Sequence, residues 1–361
     1  MTLNKQFLAQ MRAATRSLMR RGPSVARSMM RESIKTASII QKHASNQASY
    51  DPSDMLADLS RVGQAEGNPF NAPPLSSGAA AIGLPGHFIE ASYTNEAGTR
   101  DYKLYVPANY TGQPAPLLVM LHGCKQNPDD FALGTGMNAV AEEYGCLVAY
   151  PAQTPQANTS RCWNWFSAIE QRRDQGEPSI IAGITRDVMA RYVVDPNQVY
   201  VAGLSAGGAM AAMMGTLYPE LYAAVGVHSG LPFAAAHDLP SAIAAMKGEL
   251  KRRPKPGRAV PMIVFHGDRD TTVHPINGDE LIKQRRRHPG EAVAVEPGRV
   301  PHGHAYTRIV HRRPDGNIDA EHWVVHGAGH AWSGGDALGS YTDGKGPSAS
   351  REMMRFFRTR R

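Results

Sequence analysis

Six short apolar runs punctuate the chain: LLVMLHG (117–123), CLVAYP (146–151), VYVAG (199–203), AAVGVHSG (223–230), MIVFHG (262–267) and HWVVHG (322–327). Continuous runs of this length suit strands that are buried on both faces. Between them, Phe131–Glu143, Ile180–Tyr192 and Gly207–Leu217 have helical character. Strands alternating with helices predict an α/β fold with a mostly parallel central sheet flanked by helices. Ahead of these runs, HFIEASYT and TRDYKLYVP flank Asn95-Glu96-Ala97-Gly98, which predicts an antiparallel hairpin. No run of 18 apolar residues occurs, so no transmembrane helix is expected.

The N-terminus follows a different pattern. At about 100° per residue, Leu3, Phe7, Met11, Ala14, Leu18, Val25 and Met29 share one sector, with Lys5, Arg12, Arg16, Arg20, Arg27 and Arg31 opposite. Only Gly22-Pro23 interrupts them. Residues 1–45 thus read as a basic amphipathic helical arm, lying on an anionic or apolar interface or packing its stripe on the body. Residues 46–85 are rich in Ser, Pro, Gly and Ala and read as a linker, with a short helix around Asp54–Val62. Residues 86–361 are left for a single α/β domain.

Charge sharpens that division. The 361 residues carry 39 Lys+Arg and 32 Asp+Glu, a net +7. The arm alone carries +8, which leaves −1 for the rest. A nucleic-acid binder would keep its positive charge on the folded domain, so no nucleic-acid partner is expected. The arm lacks the 7–15-residue apolar core of a secretory signal, and Gly-Pro-Ser rather than an apolar run follows Arg20-Arg21. The expected compartment is the cytoplasm, with secretion as the alternative. Three cysteines cannot build a disulfide framework, and none has metal-ligand spacing with His.

The chemistry centres on Gly203-Leu204-Ser205-Ala206-Gly207, directly after VYVA and before a helix of small residues. In a strand–turn–helix setting, G-x-S-x-G is a nucleophile elbow that exposes the Ser hydroxyl at a helix N-terminus. Such a Ser needs a base and an acid to orient it, in the chain order Ser, Asp/Glu, His. Asp268 and Asp270 follow strand MIVFHG. Asp270 is preferred because H-G-x-x-D-x-x-V resembles the acid loop of many α/β-hydrolases. The base comes from His274, His288, His302, His304, His311, His322, His326 or His330. His322 lies inside a strand, and His288, His302, His304 and His311 fall in basic or turn-rich stretches where solvation is the default. His330, in the loop Gly327-Ala328-Gly329-His330-Ala331-Trp332, is preferred over His326, which is still on or near its strand. The loop after LLVML offers the backbone N–H of Cys124 as one oxyanion donor, with that of Ala206 as its partner.

Seven motifs then occur in one order over roughly residues 100–335: H-G-C-K-Q, Y-P-A-Q, C-W-N-W-F, G-L-S-A-G-G-A-M, Y-P-E-L-Y-A-A-V-G-V-H-S-G-L-P, H-G-D-R-D-T-T-V and G-A-G-H-A-W. Together they resemble the catalytic domain of the polyhydroxybutyrate depolymerase family of serine esterases, which is related to feruloyl and acetylxylan esterases. The resemblance implies an α/β-hydrolase fold, a Ser205, Asp270, His330 triad and ester cleavage, which through an acyl-enzyme needs no cofactor. It also implies that Cys124 and Cys162 lie close together beside the site, although a cytosol would disfavour their disulfide. At least one Trp is expected to line the acyl pocket, the candidates being Trp163 and Trp332.

Secreted polymer depolymerases of this family carry a signal peptide and a C-terminal polymer-binding domain. This sequence instead ends at MMRFFRTRR and begins with the basic arm. That layout resembles intracellular members acting on storage granules, and an amphipathic arm suits docking on a polyhydroxyalkanoate granule surface. The expected function is therefore hydrolysis of poly(3-hydroxybutyrate) or its oligomers. The alternatives are a feruloyl or acetylxylan-type carboxylesterase and a granule-associated binding protein.

Overall fold

The computed structural model describes residues 83–249, 260–285 and 289–359. The expected arm, the helix around 54–62, nearly all of the linker and His288 lie outside the described residues. In chain order the elements are β1 (His87–Asn95), β2 (Gly98–Val106), β3 (Ala115–Leu121), α1 (Pro128–Thr135), α2 (Met137–Tyr144), β4 (Leu147–Pro151), α3 (Gly176–Arg191), β5 (Val194–Leu204) and α4 (Ala206–Leu217). There follow β6 (Ala224–His228), α5 (Leu239–Met246), β7 (Met262–Gly267), α6 (Ile276–Gln284), β8 (Ala292–Arg299), β9 (Ala305–Arg312), β10 (Ile318–Val325), β11 (Trp332–Ser333), β12 (Thr342–Asp343) and α7 (Ala349–Arg358). No helix among the described residues is long and apolar enough to cross a membrane.

Ten strands form one sheet in the order β1-β2-β4-β3-β5-β6-β7-β10-β9-β8. Its six central strands run parallel. The antiparallel pairs β1–β2 and β9–β8 close the two ends. Successive side chains of a strand point to opposite faces, and the core divides accordingly. Leu117, Val119, Leu121, Val201, Val227 and Val264 pack with residues of α3, α4, α5 and α6. Leu118, Met120, Tyr200, Leu204, Ile263 and Phe265 pack with α1, α2 and α7. Burial on both faces is why the inner stretches of these strands are largely apolar.

The six apolar runs and the first hairpin fold as the pattern predicts. The expected helix at 131–143 is broken in two by Gly136, which takes φ 60° and caps α1. Another difference lies at 292–312, where turn-rich sequence conceals the β8–β9 hairpin. His311, expected to be solvated, is instead a buried side chain of β9 paired with Glu291 at 2.6 Å. His304 is likewise paired, with Asp343 at 2.8 Å. Carboxylates distant in sequence supply both partners, so local composition could not reveal them.

Candidate active site

Parallel neighbours end at the same sheet edge. Register partners Gly203↔Val227, His228↔Phe265 and Gly267↔Val325 put the exits of β5, β6, β7 and β10 side by side there. Ser205, the loop holding Asp268 and Asp270, and the loop holding His326 and His330 all leave from this edge. Such an edge is where open α/β sheets bind ligands.

Ser205 sits between β5 and α4 with φ 57° and ψ −119°, a backbone conformation that L-residues rarely adopt. Its N–H donates to the His228 carbonyl at 2.9 Å, which continues the sheet pairing one residue past the strand. The turn is possible because Gly203 and Gly207, two residues away on either side, lack side chains. A Cβ on Gly207 would lie 2.0 Å from the Leu121 carbonyl oxygen, and one on Gly203 would lie 2.4 Å from the backbone of Gly207. The elbow is therefore wedged against the end of β3, beside the loop that carries Cys124.

That loop is held by its own side chains. The Gly123 N–H donates to Gln126 Oε1 at 2.9 Å, and Gln126 Nε2 donates to Asp130 at 2.9 Å and to the Ser340 carbonyl at 3.1 Å. Asp130 also accepts the Ser340 N–H at 2.8 Å and hydroxyl at 2.6 Å. His122 Nε2 accepts the Gln153 N–H at 3.0 Å, so its hydrogen is on Nδ1, which donates to the Gly123 carbonyl at 2.7 Å. Burial lowers the His122 pKa to about 4, which keeps the ring neutral. A trans peptide is planar, so anchoring the Gly123 carbonyl fixes the opposed Cys124 N–H. Among the described residues no protein group accepts that N–H. Ala206, the first residue of α4, has an N–H without an intrahelical partner. His122 and Gln126 both lie in the H-G-C-K-Q motif, but only their long-range bonds reveal these roles.

Cys124 and Cys162, which the resemblance places close together, are joined by a disulfide, a bond that a cytosol would disfavour. It ties the loop after β3 to the segment carrying Trp163 and Asn164. Glu177 takes the Asn164 N–H and amide at 2.8 Å each and pairs with Arg100 at 3.3 Å.

Asp270 and His330 meet. Asp270 Oδ2 is 2.7 Å from His330 Nδ1, and its Oδ1 accepts the N–H groups of Thr272 and Val273 at 2.9 and 2.8 Å. Burial alone would push the Asp270 pKa up. The charge of His330, its hydrogen bond to the carboxylate and His266, whose Nε2 is 3.5 Å away, outweigh it and hold the carboxyl well below its usual range. An ionised carboxylate only accepts, so His330 carries its hydrogen on Nδ1 and presents Nε2 as a base. Among the described residues neither Nε2 nor the Ser205 hydroxyl has a hydrogen-bond partner, so that link is open here; such bonds are often long without substrate.

The two tryptophans correct an expectation. Trp163 and Trp332 are 0% and 1% exposed, so neither borders an open pocket. Trp332 stacks on His228 at 5.1 Å and donates to Ser350 at 3.1 Å. Trp163 packs beside His122, with ring centroids 5.7 Å apart. Their rings fill core beneath the site, where large apolar groups are most favourable. Among the described residues no cluster of three or more His, Cys, Asp or Glu has the arrangement of a metal site.

Sheet order and elbow together define an α/β-hydrolase. The fold superposes on an acetyl xylan esterase from Aspergillus awamori with a TM-score of 0.58, over 76% of this chain and all of that one, at 20% identity. In sequence, residues 100–301 match the family model described as Esterase PHB depolymerase, and the chain belongs to that family. Ser205 and Asp270 lie within the match and His330 beyond it. Poly(3-hydroxyalkanoate) depolymerase C of Paucimonas lemoignei is 31% identical over 256 residues, 66% of this chain and 59% of that protein. Probable acetylxylan esterase A of Aspergillus fumigatus is 30% identical over 210 residues, 53% of this chain and 55% of that one. Feruloyl esterase B of Neurospora crassa is 30% identical over 237 residues, 60% of this chain and 79% of that one. The chain thus spans less than two thirds of the first two relatives.

Proposed function

We propose that this protein is a serine carboxylic-ester hydrolase acting on poly(3-hydroxybutyrate) or its oligomers. The observation that carries the reading is the Asp270–His330 pair on the sheet edge that bears the positive-φ Ser205. Ser205 Oγ attacks the ester carbonyl carbon while His330 Nε2 takes its proton. The N–H groups of Cys124 and Ala206 hold the oxyanion. The tetrahedral intermediate collapses, and His330 hands the proton to the departing alkoxide. Water, deprotonated by the same nitrogen, then cleaves the acyl-enzyme and regenerates the Ser205 hydroxyl. Asp270 orients the ring and stabilises its cationic form. The mechanism draws on no cofactor.

Ser205→Ala is the direct test. Loss of at least about 10⁴-fold in kcat on a short-chain p-nitrophenyl ester is expected, and retention of full activity would sink the reading. A second substrate class, acetylated or feruloylated polysaccharide, is favoured by the acetylxylan and feruloyl esterase relatives. Product release from amorphous polyhydroxybutyrate granules, compared with turnover of methyl ferulate, separates the two.

Residues 1–45 are proposed to dock the α/β domain (86–361) on an apolar granule surface. Their removal should abolish granule association and spare activity on soluble esters. A purely granule-binding protein would instead bind granules and cleave neither substrate. For the compartment, the basic arm speaks for the cytoplasm, while the Cys124–Cys162 disulfide speaks for an oxidising one and hence for secretion. Alkylation of free thiols in freshly harvested cell fractions would decide between them.

A further inference from the structure

Two aspartates leave β7 and two histidines leave β10, and the structure pairs them separately. Beside Asp270–His330 runs a second pair, with Asp268 Oδ2 2.9 Å from His326 Nδ1. We infer that Asp268 and His326 form a clamp that positions His330, a role that rests on the ester-hydrolase reading above.

The clamp crosses three elements. Asp268 Oδ1 accepts the Gly327 N–H at 2.7 Å. The Asp268 N–H donates to the Val325 carbonyl at 3.1 Å, and the Arg269 N–H donates to the Ala328 carbonyl at 3.0 Å. His326 gives its Nδ1 hydrogen to the carboxylate, so Nε2 is an acceptor, and the hydroxyl of Thr307 on β9 donates to it at 2.8 Å. The contacts with His326 and the Gly327 N–H hold the Asp268 carboxyl below its ordinary range, against the burial that would raise it.

What the clamp restrains is a segment with little stiffness of its own. Gly327 takes φ 84°, and a Cβ on Gly329 would meet nothing within 4 Å. Glycines impose few backbone limits, so the Gly-Ala-Gly approach to His330 would be loose without an anchor. Asp268 fixes its first N–H, and Arg269 fixes Ala328. His330 Nδ1 itself has only the bond to Asp270 among the described residues. A misplacement of about 1 Å at a catalytic group can cost about 10²-fold, so anchoring this loop bears directly on rate.

The test uses the full chain, a soluble p-nitrophenyl ester and proton NMR of the His330 Nδ1 hydrogen, whose bond to Asp270 should give a far-downfield signal. Asp268→Ala is expected to lower kcat at least about tenfold with KM unchanged, and to broaden that signal. Asp268→Asn keeps an oxygen for the Gly327 N–H and should restore most of the rate. His326→Gln should fall between the two and carries the test if Asp268→Ala does not fold. Wild-type kcat with an unaltered signal in Asp268→Ala would overturn the clamp. So would an Asp268→Asn enzyme as slow as the alanine variant. Ser205→Ala and His330→Ala, run alongside, keep the two ideas apart. If they are inactive while Asp268→Ala is normal, only the clamp fails. If they stay active, the hydrolase reading itself fails.

Discussion

Asp270 spends both oxygens before substrate arrives: one on the N–H groups of Thr272 and Val273, the other on His330 at 2.7 Å. The backbone bonds fix the carboxylate, and the carboxylate fixes the tautomer of the ring. In Asp270→Asn the amide would donate to Nδ1 and leave the hydrogen on Nε2. Loss of about 10³ to 10⁴ in kcat is expected, with KM little changed. Steady-state kinetics on a soluble ester check this. A variant within tenfold of wild type would remove Asp270 from the proposed triad.

The disulfide closes a loop between positions 38 residues apart. The chain-entropy relation gives such a ring about 4 kcal/mol. Cys162→Ser should therefore lower stability by about 3 to 4 kcal/mol and also reduce kcat, because the bond adjoins the proposed oxyanion donor. Urea unfolding with and without reductant, followed by kinetics on the reduced protein, measures both effects.

Glu170 is half-buried, and its pKa is raised to about 7, first by burial and then by the charge of Glu177. Its folded pKa exceeds the ordinary 4.5. The stability it contributes is whole below 4.5 and is lost as pH rises through about 7. Glu170→Gln keeps an acceptor for the Glu177 N–H and removes the ionisation. After discounting for solvent screening, it should stabilise the fold by about 1 kcal/mol at pH 8 and change little at pH 4.5. Melting temperatures at the two pH values decide it.

His322 behaves in the opposite sense. It is 3% exposed, and burial, followed by the charges of His266 and His311, lowers its pKa to about 3. The unfolded chain therefore binds the extra proton first, so stability falls as pH drops from 6.5 toward 3. Among the described residues its Nε2 has no partner, and the Asp279 carboxylate 3.6 Å from Nδ1 is more than half exposed, so an apolar replacement leaves water to solvate it. His322→Leu should be more stable than wild type at pH 4, by on the order of 2 kcal/mol, and nearly neutral at pH 7. Denaturant titrations at both pH values would expose a failure.

The fold was legible wherever burial imposes a pattern. The inner stretches of β3, β4, β5, β6, β7 and β10 are largely apolar because helices cover both faces, and Gly203 and Gly207 are glycine because backbone comes within 2.4 Å of where a Cβ would sit. Ser205, Asp270 and His330 could be nominated because each follows such a strand. The β8–β9 hairpin was hidden because residues 292–297 on the edge strand are exposed at every position, which leaves no alternation to read. Long-range polar pairing was equally silent. Asp268 and His326 were weighed singly as a rival acid and a rival base, and no spacing rule indicated that they would choose each other. The tryptophans misled because nearness to the site in sequence says nothing about which side of the backbone a ring fills.

Asp130 binds Gln126 on one side and, on the other, Ser340, 210 residues further along the chain. The loop at 334–341 is thus a strut for the turn before α1 as well as a surface connection. Anyone who grafts a relative's sequence into that loop to retarget the proposed activity would also be moving the proposed oxyanion donor at Cys124. The graft should carry the Asp130, Gln126 and Ser340 set across as one unit.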